Sequence, residues 1–170
     1  MNLYRLLSAL IDYPSAELQE VAPAMRKAVA DHPDLAREER EGLLALIDRV
    51  GGTDLLELQE AYSALFDLGG EIHLHVTHFE HGDTQERGQK LVAMDQFYRL
   101  HGYVNERFEV PDYLPLMLEF AGEVGADAEA MIAEFGPIYA DLEAKLAAKD
   151  SPYASAFTVL KNRVGEPVPA

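Results

Sequence analysis

No cysteine occurs among the 170 residues. That absence removes disulfides, thiolate-bound metals, iron–sulfur ligation and a cysteine nucleophile together. Long hydrophobic runs are missing too. None nears the roughly 20 residues that a membrane-spanning helix needs, and the apolar start Leu6-Leu7-Ser8-Ala9-Leu10-Ile11 is cut by Asp12 and Pro14. The start reads as a first helix and not as a secretion signal, so direct membrane insertion is not expected and the cytoplasm is the expected compartment. Basic residues are scarce: fourteen Lys and Arg stand against thirty Asp and Glu, a net charge of −16. Such a surface repels phosphate backbones and anionic lipid and attracts cationic partners, which excludes nucleic acid as a ligand class. Nucleotide fingerprints, phosphate-cradling glycine loops, Gly-x-Ser-x-Gly elbows, internal repeats and low-complexity tracts are all absent.

What is present is helical periodicity in a chain long enough for one core. Leu3, Leu6, Leu7 and Leu10 share a face that Tyr13-Pro14 ends, and Ser15 caps a second helix in which Pro23 is expected to force a kink or a late start. Asp34 is expected to open a third helix and Thr53 to cap a fourth, whose Leu55, Leu58, Tyr62, Leu65 and Phe66 recur at three and four before Gly69-Gly70. Between Ile72 and Val76 the period drops to two, which predicts a short strand. Asp83 and Glu86 stand at capping-box spacing ahead of a long helix stopped by Gly102; Asp112 is expected to begin the next, up to Gly125. Pro137 and Pro152 mark first turns of two last helices. One short strand cannot make a sheet, so the expected fold is all-α: a single-domain bundle of seven to nine helices over residues 1–164, with 165–170 as a flexible tail.

The segment 69–88, GGEIHLHVTHFEHGDTQERG, holds His73, His75, His78 and His81. One reading is a metal-binding helical enzyme that uses this cluster, with His101 or distant carboxylates completing the set. The spacing argues against it, because none of the separations is the four residues that place two imidazoles on one helical face. On a helix His75, His78 and His81 would fan over about 120° and climb about 9 Å. A general base would need a partner that the sequence does not supply. The plainer expectation is that His73, His75 and His78 lie on the solvent side of a connecting segment while Ile72, Leu74 and Val76 pack inward. His81-Gly82-Asp83-Thr84 then forms the entrance to a helix, with Arg87 one turn on, expected to pair with Asp67 or Asp83.

Four short motifs, in order and at these separations, carry a resemblance: Tyr62-Ser63-Ala64-Leu65-Phe66-Asp67, His81-Gly82-Asp83, Arg87-Gly88-Gln89 and Val110-Pro111-Asp112-Tyr113-Leu114-Pro115-Leu116. They resemble the NarJ-type molybdoenzyme assembly chaperones, the nitrate reductase delta subunit group of the TorD/DmsD superfamily, over residues 3 to 160. The resemblance implies an all-helical protein without catalysis or a stably bound cofactor of its own. It implies a partner too: the apo catalytic (alpha) subunit of a nitrate reductase or related molybdoenzyme, held by its N-terminal peptide while the molybdenum cofactor is inserted, with cofactor-delivery proteins as further contacts. The client-binding residues expected on this basis are Tyr62, Phe66, Asp67, His81, Asp83, Arg87, Asp112, Tyr113, Leu114 and Leu116. The aromatic and leucine members would line an apolar channel and the carboxylates would steer basic residues of the client. Two departures stand out. Tyr113 takes the place where many superfamily members have histidine, and the further C-terminal region of many relatives has no counterpart here. A helical interaction module outside the reductase pathway is the remaining alternative.

Overall fold

Asn2 accepts a hydrogen bond from the Tyr4 amide and opens α1 (Leu3–Ile11), whose Leu6, Leu7, Leu10 and Ile11 are buried. The computed structural model describes residues 2–82, 84–107 and 109–164; Asp83, the expected tail 165–170 and the side chain of His81 lie outside the described residues. Ser15 caps α2 (Ala16–Ala30) through the Leu18 amide, and the helix runs through Pro23 with no late start. A proline there withholds one amide, a loss that the buried Leu18, Ala22, Met25 and Val29 offset by packing on the next helix.

That helix, α3 (Arg37–Gly52), starts later than expected. Asp34 is not its cap; instead Glu39 folds back to the Ala36 amide. Asp54, and not Thr53, caps α4 (Leu55–Phe66), because its carboxylate accepts from two amides, Leu56 and Glu57. A four-residue α5 (His78–His81) precedes α6 (Gln85–Leu100), where Thr84 is the cap and accepts from the Arg87 amide. Then follow α7 (Leu114–Val124), α8 (Ala126–Glu134), α9 (Gly136–Ala148) and α10 (Ala154–Val164). Pro115 and Pro137 occupy the first turns of α7 and α9. The all-α expectation holds, with ten helices among the described residues; α5 and α8 are the unanticipated ones.

The core is built by α1 against α7, α2 against α3, and α9 against α10, with α10 also reaching α3. Tyr98, Tyr139, Phe120, Phe135 and Phe157 are its largest fully buried side chains. By contrast, α6 buries only Met94 and Tyr98 and forms an outer edge of the molecule.

The predicted strand at 72–76 is absent. Ile72, Leu74 and Val76 are buried as the alternation requires, yet the segment's β-pairing is a single isolated bridge between His75 and Tyr113. Alternating burial marks an extended segment; a strand also needs a ladder, and one bridge does not make one.

Candidate functional site

The extended segment crosses residues 112–114, and two backbone hydrogen bonds fix the crossing: Val76 N to Asp112 O at 3.1 Å and Leu114 N to Leu74 O at 2.8 Å. Register places Thr77 beside the Asp112 side chain. Asp112 does not cap α7, which Tyr113 precedes directly; it is fully buried at 0% exposure. A carboxylate so placed must be satisfied by donors. It accepts from Thr77 Oγ1 at 2.6 Å, from Thr77 N at 3.3 Å and from Arg87 Nη2 at 3.2 and 3.4 Å. Arg87 Nε also donates to Thr77 Oγ1 at 3.2 Å. Arg87 thus brings Nη2 and Nε to Asp112 and Thr77, partners that the sequence did not announce, while its expected partner Asp83 lies outside the described residues.

Tyr113 extends the network to α1. Its hydroxyl donates to Asp12 Oδ1 at 2.8 Å, and Arg107 Nη1 lies 2.7 Å from Asp12 Oδ2. Burial first, then the Asp12 charge, pushes the Tyr113 phenol up, while the hydrogen bond with Asp12 raises Arg107 further. Tyr98 donates to Pro111 O at 2.6 Å. The 110–114 stretch is therefore clamped by α6, the extended segment and the end of α1.

Tyr62, Phe66, Leu114 and Leu116, expected to line a channel, are core residues instead. Tyr62 donates to Ile11 O at 2.8 Å and packs in an aromatic group with Tyr13, Phe66 and Tyr153. They support the surface from behind and do not form it. Asp67 is exposed as the C-cap of α4, beside the exposed Leu68. Of the expected residues, Arg87, Asp112 and Tyr113 come together. Thr77, Asp12, Tyr98 and Arg107 complete the cluster and were missed, because nothing local in the sequence announces a contact made across 35 or 101 residues.

Two clefts flank the clamped stretch. The first, about 350 Å³, is lined by His73, His75, His78, Arg87 and Val110. These histidines are half-buried and ring-packed, not freely solvated as expected: His73 stacks on Phe79 with centroids 4.3 Å apart, meets His78 edge-on at 4.8 Å, and His75 lies 5.4 Å from Tyr113. Burial first, then the neighbouring His78, His75, Lys145 and Arg87, lowers the pKa of His73. Among the described residues no group of three His, Cys, Asp or Glu side chains can hold a metal ion. His101 cannot join the cluster. It ends α6, on the order of 20 Å along the helix from Arg87, where its ring meets Phe97 O at 2.9 Å and sits 3.9 Å from Asp127.

The second cleft, about 650 Å³, runs between α6 and residues 103–111 and is lined chiefly by Leu91, Val92, Tyr103, Val104, Asn105 and Pro111. Val92 and Val104 are 58% and 72% exposed. Asn105 donates to Glu109 O at 2.7 Å, but its own carbonyl, Oδ1, is buried with no donor among the described residues. A largely apolar surface edged by Asp95, Arg99 and Glu109 suits a segment that brings apolar side chains flanked by charged ones. A further cleft of about 610 Å³, among Tyr4, His32, Glu129 and Arg163, shares no residue with this site. None of the helices among the described residues is long and apolar enough to cross a membrane.

The nitrate reductase delta subunit family matches residues 14–159 of the chain. The nitrate reductase molybdenum cofactor assembly chaperone NarJ of Escherichia coli (strain K12) is 33% identical over 156 residues, 91% of this chain and 66% of that one. The Bacillus subtilis (strain 168) protein bearing the same name is 32% identical over 158 residues, covering 92% and 85%. This chain thus spans just under two thirds of the Escherichia coli relative. Among solved structures, a redox enzyme maturation protein from Archaeoglobus fulgidus shares the fold, with a TM-score of 0.63 at 20% identity over 94% of this chain and 90% of that one. Motifs, helical architecture and these likenesses agree that the chain belongs to the nitrate reductase delta subunit family.

Proposed function

We propose that this protein is a cytoplasmic assembly chaperone. Its client is the immature catalytic subunit of a nitrate reductase or related molybdoenzyme, which it holds by an N-terminal segment while the molybdenum cofactor is inserted. Catalysis and permanent cofactor binding are not part of the role, and cofactor-delivery proteins would meet the complex and not the chaperone alone. Family membership supports the general role. The observation that carries the binding mode is the largely apolar cleft between α6 and residues 103–111, with Val92 and Val104 exposed on it.

Val92 and Val104 face one cleft, and a partner that covers them gains apolar burial. The client segment lays apolar side chains on Val92 and Val104 and carries basic residues toward Asp95 and Glu109 on the cleft. Arg87, Asp112, Tyr113, Leu114 and Leu116 act by holding the 110–114 wall of this cleft. Tyr62 and Phe66 brace the core, and Asp67, exposed at the end of α4, is a candidate polar contact for the client. Each anchor contributes about 1.5–3 kcal/mol and ordering the segment costs about 2–5 kcal/mol, which places affinity near the micromolar range.

Calorimetric titration with N-terminal peptides of candidate catalytic subunits tests this. Val104→Asp, at an exposed site, should preserve the far-UV spectrum and weaken binding by about tenfold or more. Equal affinity in the folded variant would exclude this cleft; absence of binding by every peptide would exclude the N-terminal mode.

A further inference from the structure

Two carboxylates line the client cleft, and they differ in one respect. Asp95, on α6, pairs with Arg99 at 2.9 Å, and Arg99 lines the same cleft, so the charges of that wall cancel. Glu109, on the facing wall, is half-buried, and its carboxylate has no hydrogen-bond or ion-pair partner among the described residues. We propose that Glu109 is the residue that sets the specificity of this cleft, by taking the side-chain cation of one Lys or Arg in the client segment. The inference rests on the client reading above and states what that segment must carry.

A carboxylate drawn partly out of water without a donor costs free energy, and that cost is relieved when a donor arrives. Its neighbours along the wall are already satisfied. Asp112 accepts from Thr77 and Arg87, and Asp12 accepts from Tyr113 and lies 2.7 Å from Arg107. Arg107, the cation nearest to Glu109 in sequence, is thus engaged elsewhere. The backbone that carries Glu109 is held in place: Asn105 Nδ2 donates to Glu109 O at 2.7 Å, and Tyr113 N donates to Val110 O at 2.9 Å. A charge on a fixed backbone gives up little freedom when its partner binds.

The charges of the cleft select the partner. Asp95, Arg99 and Glu109 together leave one uncompensated negative charge beside an apolar lining that includes Leu91, Val92 and Val104. A long basic side chain fits both parts, because its methylene stem covers apolar surface while its head reaches the carboxylate. An acidic residue at the same place of the client meets like charge, so Glu109 rejects as well as attracts. A single carboxylate does not hold a metal ion, and among the described residues no group of three His, Cys, Asp or Glu side chains could.

The test is calorimetric titration of the full chain with the N-terminal peptide of the nitrate reductase catalytic subunit from the same organism. A series of peptides in which each Lys or Arg is replaced singly by Gln accompanies it. One replacement should weaken binding to the parent chain by about fivefold and leave binding to Glu109→Gln unchanged. Glu129→Gln removes an exposed carboxylate at a cleft that shares no residue with this one, and should keep the fivefold difference. It controls for the change in net charge. Should Glu109→Gln fail to fold, Glu109→Lys decides: it should bind the peptide that carries Glu at the sensitive position more tightly than the unaltered peptide. Equal sensitivity of the Glu109→Gln and Glu129→Gln chains to every replacement would overturn the inference. So would a coupling seen only on acetylating the peptide's amino terminus, which would make the terminal ammonium the partner. Absence of binding by every peptide would overturn the client reading and this inference together, whereas binding without coupling to Glu109 would overturn this inference alone.

Discussion

Arg87, in the first turn of α6, reaches Asp112 with Nη2 at 3.2 and 3.4 Å from the two carboxylate oxygens, and Asp112 has no exposed surface at all. One ion pair thereby ties an outer helix to the stretch that separates the two clefts. Removing one partner of a buried pair strands the other charge, which costs far more than the pair itself contributes. Asp112→Ala should lower stability by about 3–5 kcal/mol in urea unfolding. Asp112→Asn, which keeps an acceptor for Thr77, should cost clearly less. Equal losses in the two variants would show that Arg87 and Thr77 require the carboxylate itself and that a neutral acceptor does not replace it.

Tyr113 precedes α7 directly, and its hydroxyl donates to Asp12. Asp12 is not orphaned by losing it, since Arg107 and the Tyr13 amide also donate to that carboxylate. Tyr113→Phe should therefore cost about 1 kcal/mol, not the larger penalty of a stranded acceptor. The same urea experiment checks it. A loss above about 3 kcal/mol would mean that Tyr113 closes the network and does not merely join it.

Much of the fold is legible in the chain. The period of Leu3, Leu6, Leu7 and Leu10, the Ser15 cap and the glycine stop at Gly102 each encode an element through local physics. The errors share a cause. Asp34, Thr53 and Asp112 are residues that favour helix starts, and at each start a neighbour took the role or a tertiary contact took the residue. Asp112 is the clearest case: the composition of Pro-Asp-Tyr suggests a cap, while the partner that decides its role, Thr77, sits 35 residues earlier. The histidine segment shows the reverse. Its inward face of Ile72, Leu74 and Val76 was readable from alternation, but the single bridge to Tyr113, which makes it a crossing and not a strand, was not.

Below neutral pH, His73 should make stability depend on acidity. Burial and the nearby His78, His75, Lys145 and Arg87 hold its pKa below the ordinary 6.5. Well above 6.5 the imidazole is neutral in both folded and unfolded chains, so it contributes no slope. As pH falls past that value the unfolded chain binds the proton first, and stability drops until the folded pKa is reached. His73→Gln should flatten this part of the profile and leave the alkaline side unchanged. Unfolding curves between pH 8 and pH 5 for both proteins provide the comparison; parallel slopes would show that His73 is not the group responsible.

The packing of α3 on α10 yields a prediction of sign. A Cβ built on Gly42 would stand 2.8 Å from the Cβ of Ser155, an atom that cannot move without its helix. Helix propensity alone favours Gly42→Ala, inside α3, by about 0.5–1 kcal/mol. The clash opposes it by about 1–3 kcal/mol and outweighs the propensity gain, so the single variant should be less stable. Ser155→Gly removes the obstructing atom and forgoes the bond from Ser155 Oγ to Pro152 O. In that background the same alanine should become stabilising. A double-mutant cycle in urea then gives a coupling energy of about 1 kcal/mol or more. If Gly42→Ala stabilised the parent protein, the close approach of these two helices would be looser than the structure shows; if it destabilised both backgrounds equally, an atom other than the Ser155 Cβ would be the obstacle.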